Sequence, residues 1–403
     1  MTLADAQARD AADPLRRFRE RFQLPDGVIY LDGNSLGALP KVTRDRVSDA
    51  VTRQWGDGLI RSWNAESWID APQRIGAIIA PLIGAASHEV IVADSTSVSL
   101  AKLLVAALAA RPGRNVILSE PGNFPTDLYI AQGLPGVVVR VVDRKDIATA
   151  IDETVAVLML THVHYKSAAI HDMAALTAAA QAKGAFALWD LSHSVGAIPV
   201  DLGAAKADLA VGCGYKYLNG GPGAPAFLYV AERHQTMLTN PLSGWMGHAA
   251  PFDFTDTYAP AAGMTRWLTG TPPILGLVGL EAGVEIIAEA GMAAIDAKRA
   301  ALTQYLIDCA AERCPGLRLA SPADTAQRGS HVSFQSDHAW PINAALIARG
   351  VIGDFRAPDI LRFGVTPLYL GFEDIWRAVD HIADLLGNDG WDRPEFHART
   401  AVT

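Results

Sequence analysis

One lysine of this chain stands in an unusual setting. Lys216 lies in a glycine-rich segment, residues 212–223, directly after a short apolar run, and it has a tyrosine on each side. Glycines let a backbone pass close to a flat ligand and adopt left-handed conformations that other residues resist. A lysine held in such a turn can form a Schiff base with an aldehyde cofactor, whereas most lysines are solvated surface charges. The segment therefore predicts that Lys216 fixes the reaction class of the protein.

A row of hydroxyl groups follows an earlier apolar run. Thr96 and Ser97 lie where a predicted strand ends and a helix begins. Serine and threonine often cap helices at this position, while the free N–H groups of a helix start also bind phosphate. Taken alone, this segment favours a helix cap, with a phosphate site as the alternative.

Two more polar clusters follow later strands. The first is a loop with an aromatic ring beside a proline-fixed turn, formed by Phe124, Pro125, Thr126 and Asp127. In the second, Asp190 ends an apolar strand, so that its carboxylate emerges at the edge where ligands bind. An acid there can cap the next turn, or it can hold a pyridine nitrogen protonated and make the ring an electron sink. His193 lies three residues further on and is either a structural histidine or a cofactor contact.

The order of these clusters is more specific than any one of them. It provides a phosphate site at the hydroxyl groups, a stacking ring at Phe124, a partner for a ring nitrogen at Asp190 and a Schiff-base amine at Lys216. These are the four requirements of pyridoxal phosphate. We therefore predict that the chain binds this cofactor.

Apolar runs alternate with helical patterns between about residues 88 and 230. The runs are apolar throughout, which is typical of strands buried on both faces of a sheet. Strand–helix alternation of this kind predicts an α/β fold with a mostly parallel sheet and covering helices, and ligands bind at the carboxyl ends of such strands. The predicted strands are 89–93, 115–118, 137–142, 155–160, 185–189, 208–211 and 226–230, and the clearest helices are 98–110 and 172–183.

The pattern changes after about residue 280. One long helix is predicted over 275–290 and onward through 295–311, followed by strands at 317–319 and 331–334 and helices at 341–349 and 373–386. This pattern of long helices and short strands indicates a smaller α+β domain, which the N-terminal segment joins. We therefore predict a large cofactor-binding domain over 50–275 and a small domain formed by 1–49 and 276–403.

Composition excludes several other classes of protein. The chain has 403 residues, of which 50% are apolar and 19% charged, as in ordinary globular enzymes. Its net charge of −9 provides no electrostatic surface for nucleic acid. No apolar run approaches the roughly 20 residues that span a bilayer, and the mixed-charge N-terminus does not resemble a secretory signal.

The three cysteines form neither a disulfide framework nor a CxxC pair. Cys309 and Cys314 lie near a predicted helix end, where cysteines pack more often than they bind metal, and we assign no metal site. A reducing cytoplasm is the simplest compartment for such a chain.

Several longer motifs resemble those of the kynureninases, a family of fold type I pyridoxal-phosphate enzymes in the aspartate aminotransferase superfamily. They span nearly the whole chain and include Tyr30-Leu-Asp-Gly-Asn-Ser-Leu-Gly37, Trp189-Asp-Leu-Ser-His-Ser-Val-Gly196, Tyr215-Lys-Tyr-Leu-Asn-Gly-Gly-Pro-Gly223, Gly244-Trp-Met-Gly-His248 and Arg356-Ala-Pro-Asp-Ile-Leu-Arg-Phe-Gly364. The resemblance implies hydrolytic cleavage of the Cβ–Cγ bond of L-kynurenine to anthranilate and L-alanine in tryptophan catabolism. 3-Hydroxykynurenine is a second possible substrate.

The resemblance also implies roles for individual residues. Lys216 carries the Schiff base, Asp190 pairs with the pyridine nitrogen, and Tyr215 is a candidate to protonate the leaving carbon. The remaining cofactor contacts that it implies are Thr96, Ser97, Phe124, Pro125, Thr126, Asp127, Ser167, His193 and Tyr215.

Substrate and subunit contacts follow from the same resemblance. Arg362 would bind the substrate carboxylate through its planar guanidinium group, with Ser35 and Trp63 in the pocket for the aromatic ketone. Trp245 and Thr271 would reach the cofactor phosphate from the other subunit of a homodimer. Simpler interpretations remain open, since the two tryptophans can be core aromatics and Arg362 can form a structural ion pair.

The motif match has one departure and leaves two rival functions. His164 stands where the family pattern has asparagine, which places the cofactor contact of that loop, apart from Ser167, in question. A cysteine desulfurase or selenocysteine lyase shares the cofactor order but needs a cysteine on a late loop, and residues 323–330 contain none. A regulator that binds the cofactor without turnover is the rival from a different class.

Overall fold

The N-terminal segment joins the C-terminal part of the molecule. The computed structural model describes residues 1–399. This segment contains helices α1 (Leu3–Ala11) and α2 (Lys41–Asp49) and strands β1 (Phe22–Gln23), β2 (Ile29–Tyr30) and β3 (Leu39–Pro40). β2 pairs in parallel with a strand at Val351–Ile352, and α1 packs against the last long helix of the chain. A π-helix, Ala50–Gly58, then leads through the helices α3 (Ser62–Ala65) and α4 (Ala71–Ile79) to the main sheet.

The main sheet has seven strands in the order β4-β10-β9-β8-β7-β5-β6. Its strands are β4 (Val90–Val92), β5 (Val116–Ser119), β6 (Val138–Val141), β7 (Val155–Thr161), β8 (Phe186–Asp190), β9 (Leu209–Gly212) and β10 (Phe227–Val230). β10 runs antiparallel to both of its neighbours, and the other pairs are parallel. Every residue of the strands other than the edge strand β6 is buried, which explains the continuous apolar runs. The predicted fold class and all seven predicted strands are confirmed.

Helices cover both faces of this sheet. They are α5 (Thr96–Ala109), α6 (Pro125–Gln132), α7 (Ile147–Ala150), α8 (Met173–Ala182) and α9 (Glu232–Gln235). α5 and α8 confirm the two helices predicted here. The sequence predicted a loop where α6 begins, because this short helix buries only Asp127 and Ala131 and so lacks an apolar stripe.

A second, antiparallel sheet lies in the C-terminal part and has the order β11-β12-β15-β14. The elements are α10 (Ile274–Ala290), α11 (Met292–Arg313), β11 (Arg318–Leu319), β12 (His331–Gln335), α12 (Ala339–Ala348), β13 (Val351–Ile352), β14 (Asp354–Arg356), β15 (Ile360–Gly364), α13 (Phe372–Gly387) and α14 (Pro394–His397). The domain boundaries at 49/50 and 275/276 stay predictions. Among residues 1–399, no helix combines the length and the apolar character needed to cross a membrane.

One sequence-based expectation in this part is wrong. The predicted single helix over 275–311 is two helices, α10 and α11, because Gly291 between them has a φ of 78°. A positive φ ends an α-helix and turns the chain, and glycine adopts it at little cost. β14 and β15 were also missed, since their charged residues mask the apolar pattern of a strand.

Close packing of α10 positions the turn that carries Lys216. A methyl group added at Gly283 would collide with the carbonyl oxygen of Leu218, two residues after the lysine. On the other side, the Gly37 N–H donates to the carbonyl oxygen of Tyr215 at 2.8 Å, and a methyl group at Gly37 would meet the carbonyl oxygen of Lys216. Only glycines allow both approaches.

We predict that Gly283→Ala destabilises the protein by roughly 2 kcal/mol or more, although alanine is the better helix former. The loss arises because a backbone carbonyl cannot move away from the new methyl group without distorting the turn. Chemical denaturation measures the change in the free energy of unfolding. Gly387→Ala in α13 is the control, because an added methyl group there meets no atom within 4 Å and should leave stability equal or higher. Equal stability of the two variants would contradict the packing argument.

Candidate active site

A cavity of about 160 Å³ lies beside the main sheet and contains Lys216. It is lined by Asn34, Ser35, Phe124, Tyr165, His193, Tyr215, Lys216, Arg356 and Arg362. Segments far apart in the chain meet here, from the N-terminal part, the main sheet and the second sheet. The structure thus brings together six residues selected from the sequence, which are Ser35, Phe124, His193, Tyr215, Lys216 and Arg362.

Lys216 is buried, and its amine faces other candidate site residues. The Nζ atom lies 3.1 Å from Nε2 of His193 and 5.5 Å from the centroid of the Phe124 ring. Burial, reinforced by the positive charge of Lys216, holds the pKa of His193 well below its usual value. His193 is therefore neutral at physiological pH, and its Nε2 can accept a hydrogen bond from the lysine amine.

Two buried carboxyl groups, Asp127 and Asp190, lie behind the lysine. Asp190 Oδ1 accepts a hydrogen bond from the N–H of Ser192 at 2.8 Å, whereas Asp127 Oδ2 is buried without a partner. Burial raises the pKa of both groups, and the charge of Asp190 raises the pKa of Asp127 further. A cationic N–H donor entering the site would offset the cost of burying these two carboxyl groups, because neither accepts a hydrogen bond from a cationic group among residues 1–399. A protonated pyridine ring has such a donor, and the residues fit pyridoxal phosphate at this end.

The start of α5 fits a phosphate group. Ser95 caps the helix, its hydroxyl oxygen accepting from the N–H of Val98 at 3.4 Å. The hydroxyl groups of Thr96 and Ser97 are half-buried and make no side-chain hydrogen bond to another part of residues 1–399. The nearby carboxylate of Asp94 binds Nζ of Lys102 and so does not add an unpaired negative charge to the helix start. The cap and the candidate phosphate ligands are therefore different residues, so the helix cap at Ser95 leaves Thr96 and Ser97 free for the phosphate that remains a prediction.

Besides Thr96, Ser97, Pro125, Thr126, Asp127 and Asp190, four more residues selected from the sequence do not line the cavity. The Ser167 hydroxyl lies 3.2 Å from Nδ1 of His164, the histidine that departs from the family pattern. Trp63 packs edge-on against Trp68, with 6.1 Å between the ring centroids. Trp245 and Thr271 lie at the surface, and 37% of the tryptophan is exposed. None of the four contributes to the cavity within one chain.

Arg362 forms an ion pair, which was the simpler interpretation of this residue, with a partner that the sequence did not identify. Its Nε donates to Asp354 Oδ1 at 2.8 Å, and Nη2 donates to Asp354 Oδ2 in a two-point contact. Nη1 donates to the carbonyl oxygen of Tyr165 at 2.6 Å, and Nη2 reaches the hydroxyl of Ser35 at 2.9 Å. Asp354 is the partner of Arg362 across the β14–β15 pair, so both side chains lie on one face of the sheet. The Asp-x-Arg spacing of residues 354–356 was the available signal for this cluster.

Curated relatives match the chain along its entire length. A kynureninase of Burkholderia mallei (strain SAVP1) is 49% identical, and one of Pseudomonas fluorescens is 47% identical; each match covers 100% of both chains. A family model described as "Kynureninase C-terminal domain" matches residues 295–382.

The chain belongs to the kynureninase family.

Solved structures show how the kynureninase-family chain shares its fold with other proteins. The apo structure of a cysteine desulfurase from Thermococcus onnurineus NA1 superposes with a TM-score of 0.80 at 21% identity, covering 92% of this chain and 98% of that one. A C-DES mutant with glycine covalently linked to its PLP cofactor gives a TM-score of 0.80 at 17% identity, over 91% and 99% of the two chains. These likenesses confirm the predicted fold type, while the sequence relatives set the chain apart from the desulfurases within it.

Asp32 of the N-terminal motif adds a pH-sensitive group beside the arginines. Burial and the charge of Asp354 raise the pKa of Asp32 to about 7, against the opposing effects of Ser35, Arg362 and Arg356. The unfolded value is about 4. Between these values the folded state binds more protons than the unfolded state, so the stabilising contribution is lost as pH rises through about 7.

We therefore predict that Asp32→Asn stabilises the protein relative to wild type more at pH 8 than at pH 5. The asparagine stays neutral, whereas the wild-type carboxyl group must ionise in a buried position. The difference between the two pH values should be on the order of 2 kcal/mol in the free energy of unfolding. Denaturant titrations of both proteins at each pH measure it, and an effect that is the same at pH 5 and pH 8 would refute the assignment.

Proposed function

We propose that this protein hydrolyses L-kynurenine to anthranilate and L-alanine with pyridoxal phosphate bound at Lys216. The observation that carries the proposal is the cavity of this kynureninase-family chain, in which a buried lysine amine, a neutral histidine and an arginine surround one space. The same cleavage applies to 3-hydroxykynurenine, whose added hydroxyl lies on the aryl ring, away from the bond that breaks. Parallel turnover measurements on the two compounds rank them as substrates.

The chain's own residues would hold the cofactor in a defined orientation. Phe124 would stack on its ring, Asp190 would accept the ring N–H, and Thr96 with Ser97 would bind the phosphate at the start of α5. When bound, pyridoxal phosphate supplies an aldehyde for an amine and a ring that withdraws electrons from the substrate Cα. Lys216 is placed to carry that aldehyde because its amine is buried beside the Phe124 ring.

Proton transfers fall to groups already in the cavity. With its amine free, Lys216 would take the proton from Cα and return it to Cα as L-alanine forms. Neutral His193 accepts a hydrogen bond from this amine and adds no positive charge beside it. Water adds to the γ-carbonyl carbon, the Cβ–Cγ bond breaks, and Cγ leaves as the carboxyl carbon of anthranilate. Cβ then needs a proton. Tyr215 lines the same cavity, and burial raises the pKa of its phenol, so that the hydroxyl stays protonated and available as the donor.

The central prediction concerns Lys216. Lys216→Ala should lower kcat on L-kynurenine by roughly 10³-fold or more, because no other lysine among residues 1–399 lines the cavity. Release of fluorescent anthranilate measures turnover, and the visible spectrum reports whether the cofactor is held as in the wild type. Lys183→Ala removes an exposed lysine paired with Glu153 and serves as the matched control. An unchanged visible spectrum for Lys216→Ala would show that the lysine assignment is wrong.

A second prediction separates the two tyrosines that flank the lysine. Tyr215→Phe should lower kcat by roughly 10²-fold, because the phenylalanine cannot donate a proton to Cβ. Tyr217→Phe should retain nearly full activity, since the Tyr217 hydroxyl is buried without a partner and does not line the cavity. Steady-state kinetics of both variants test the role of Tyr215. Normal turnover by Tyr215→Phe would remove it from the mechanism.

The rival functions gain little from the structure. All three cysteines, Cys213, Cys309 and Cys314, are buried, so none presents the accessible thiol that a desulfurase uses. Burial also raises the pKa of the Cys314 thiol to about 11. A regulator without turnover would bind pyridoxal phosphate and release no anthranilate, which the assay above detects. The free cysteines favour a reducing compartment, and we retain the cytoplasm as the proposed location.

A homodimer with shared active sites accounts for the surface tryptophan. Trp245 contacts Phe252, and Phe252 contacts Phe254 in turn; 60% and 76% of these phenylalanines are exposed. Further apolar side chains are exposed in the π-helical region, including Trp55 and Ile60. A second copy of the chain would cover these aromatic groups and place Trp245 near the phosphate site of its partner.

This arrangement predicts complementation between inactive variants. Lys216→Ala and Trp245→Ala homodimers should each be impaired, while an equal mixture refolded together should regain about one quarter of wild-type sites. The gain arises because each mixed dimer contains one active site with both residues intact. Mixing without refolding is the control, and anthranilate release measures the outcome. Failure of mixed dimers, isolated with two different affinity tags, to exceed the parents would contradict a site shared through Trp245.

A further inference from the structure

Two guanidinium groups of the second sheet share one carboxylate in the cavity. Asp354 binds Arg362 at two points and also accepts from Nη2 of Arg356 at 2.6 Å. The Ser35 hydroxyl donates to the same carboxylate at 3.0 Å. Because β14 and β15 are paired along their length, these side chains are fixed relative to each other by the sheet. Below about pH 7, where Asp32 is protonated, the cluster contains two positive charges against the single negative charge of Asp354.

The donors of Arg362 are nearly all used within the protein. A guanidinium group has five N–H donors. In Arg362, donors on all three nitrogens bind Asp354, the Tyr165 carbonyl oxygen or Ser35, and only 1% of the side chain is exposed. One N–H of Nη1 is left for a ligand. The two-point face expected to meet a substrate carboxylate is turned toward Asp354 instead.

Arg356 is in the opposite situation. Its Nη2 contacts Asp354 and Ser35, whereas Nε and Nη1 have no hydrogen-bond partner among residues 1–399. Its side chain is 35% exposed and lines the same cavity as Lys216. Burial and the nearby Arg362 lower the pKa of Arg356, as expected of a cation that lacks a full complement of anions. Nε–H points away from Nη1, so the group that Arg356 can offer to a carboxylate in the cavity is Nη1, with two free N–H donors on a cationic side chain.

We propose that Arg356 is a second carboxylate-binding residue of this cavity, offering Nη1 to a carboxylate that also meets the one free N–H of Arg362. Asp354 is a positioning residue, because it holds both guanidinium groups without reaching the ligand. The inference rests on the proposed function for the identity of the ligand. Two carboxylates occur in that reaction, the α-carboxylate of the amino acid and the carboxylate that forms on Cγ as anthranilate is released.

The test uses ligand binding to the cofactor-loaded protein and needs no turnover. Arg356→Gln is compared with wild type for L-alanine against L-alaninamide, followed through the visible absorbance of bound pyridoxal phosphate. Anthranilate against 2-aminobenzamide is followed by equilibrium dialysis. The variant should bind the carboxylate of at least one pair about tenfold more weakly, and its amide counterpart equally well. The affected pair identifies which carboxylate Arg356 binds.

Two further variants make the result specific. Arg356→Lys keeps the charge but replaces the guanidinium group with an ammonium group, and should bind that carboxylate with intermediate affinity. It also replaces Arg356→Gln should the latter fail to fold. Arg318→Gln removes a positive charge from the same sheet at an exposed pair with Asp337, and should leave every affinity unchanged. Wild-type affinity for both carboxylates in Arg356→Gln and Arg356→Lys would overturn the proposal. A wild-type protein that binds L-alanine but releases no anthranilate would refute the proposed function alone.

Discussion

The architecture of this protein depends on how tightly the turn around Lys216 is held. The turn lies between α10 on one side and the N-terminal segment on the other, and at both contacts a glycine faces a backbone carbonyl group. Side chains at Gly37 or Gly283 would push these layers apart. Because the contacts are between backbones, the position of the lysine does not depend on the rotamer of a flexible side chain.

Around this fixed point the cavity unites two kinds of electrostatic environment. Behind the lysine, Asp127 and Asp190 are buried with few hydrogen-bond donors around them, which favours binding of a cationic group. Across the cavity, the guanidinium groups of Arg356 and Arg362 share the carboxylate of Asp354, and Asp32 beside them is protonated below about pH 7, so the cluster favours binding of an anionic group. An amino acid joined to a protonated pyridine ring brings both kinds of charge. The protein thus keeps unbalanced charges apart and leaves their neutralisation to cofactor and substrate.

Much of this could be predicted from the sequence, for identifiable reasons. Strands buried on both faces appear as unbroken apolar runs, and Asp190 and Lys216 each follow such a run, so their common edge was evident. The ion pair between Asp354 and Arg362 could not be predicted, because it depends on the register of β14 and β15. The charged residues of these two strands interrupt the apolar pattern by which strands are predicted. The helix break at Gly291 was missed because the apolar periodicity continues across it. The short helix α6 was missed because it has no apolar periodicity. Trp245 lies outside the cavity of its own chain, and the role proposed for it requires a dimer, which strand patterns do not describe.

The pairing of β2 with β13 bears on the order in which the molecule can assemble. Ser35 reaches the cavity from a segment anchored to residues 351–352, more than 300 positions further along the chain. A nascent chain emerging from the ribosome can complete the main sheet early, yet β2 has no strand to pair with until β13 is synthesised. The main sheet and its lysine are therefore available before the arginines that face them. The chain can therefore bind the cofactor before the residues that meet the substrate are in place. It can bind amino acids only after the C-terminal part has been synthesised.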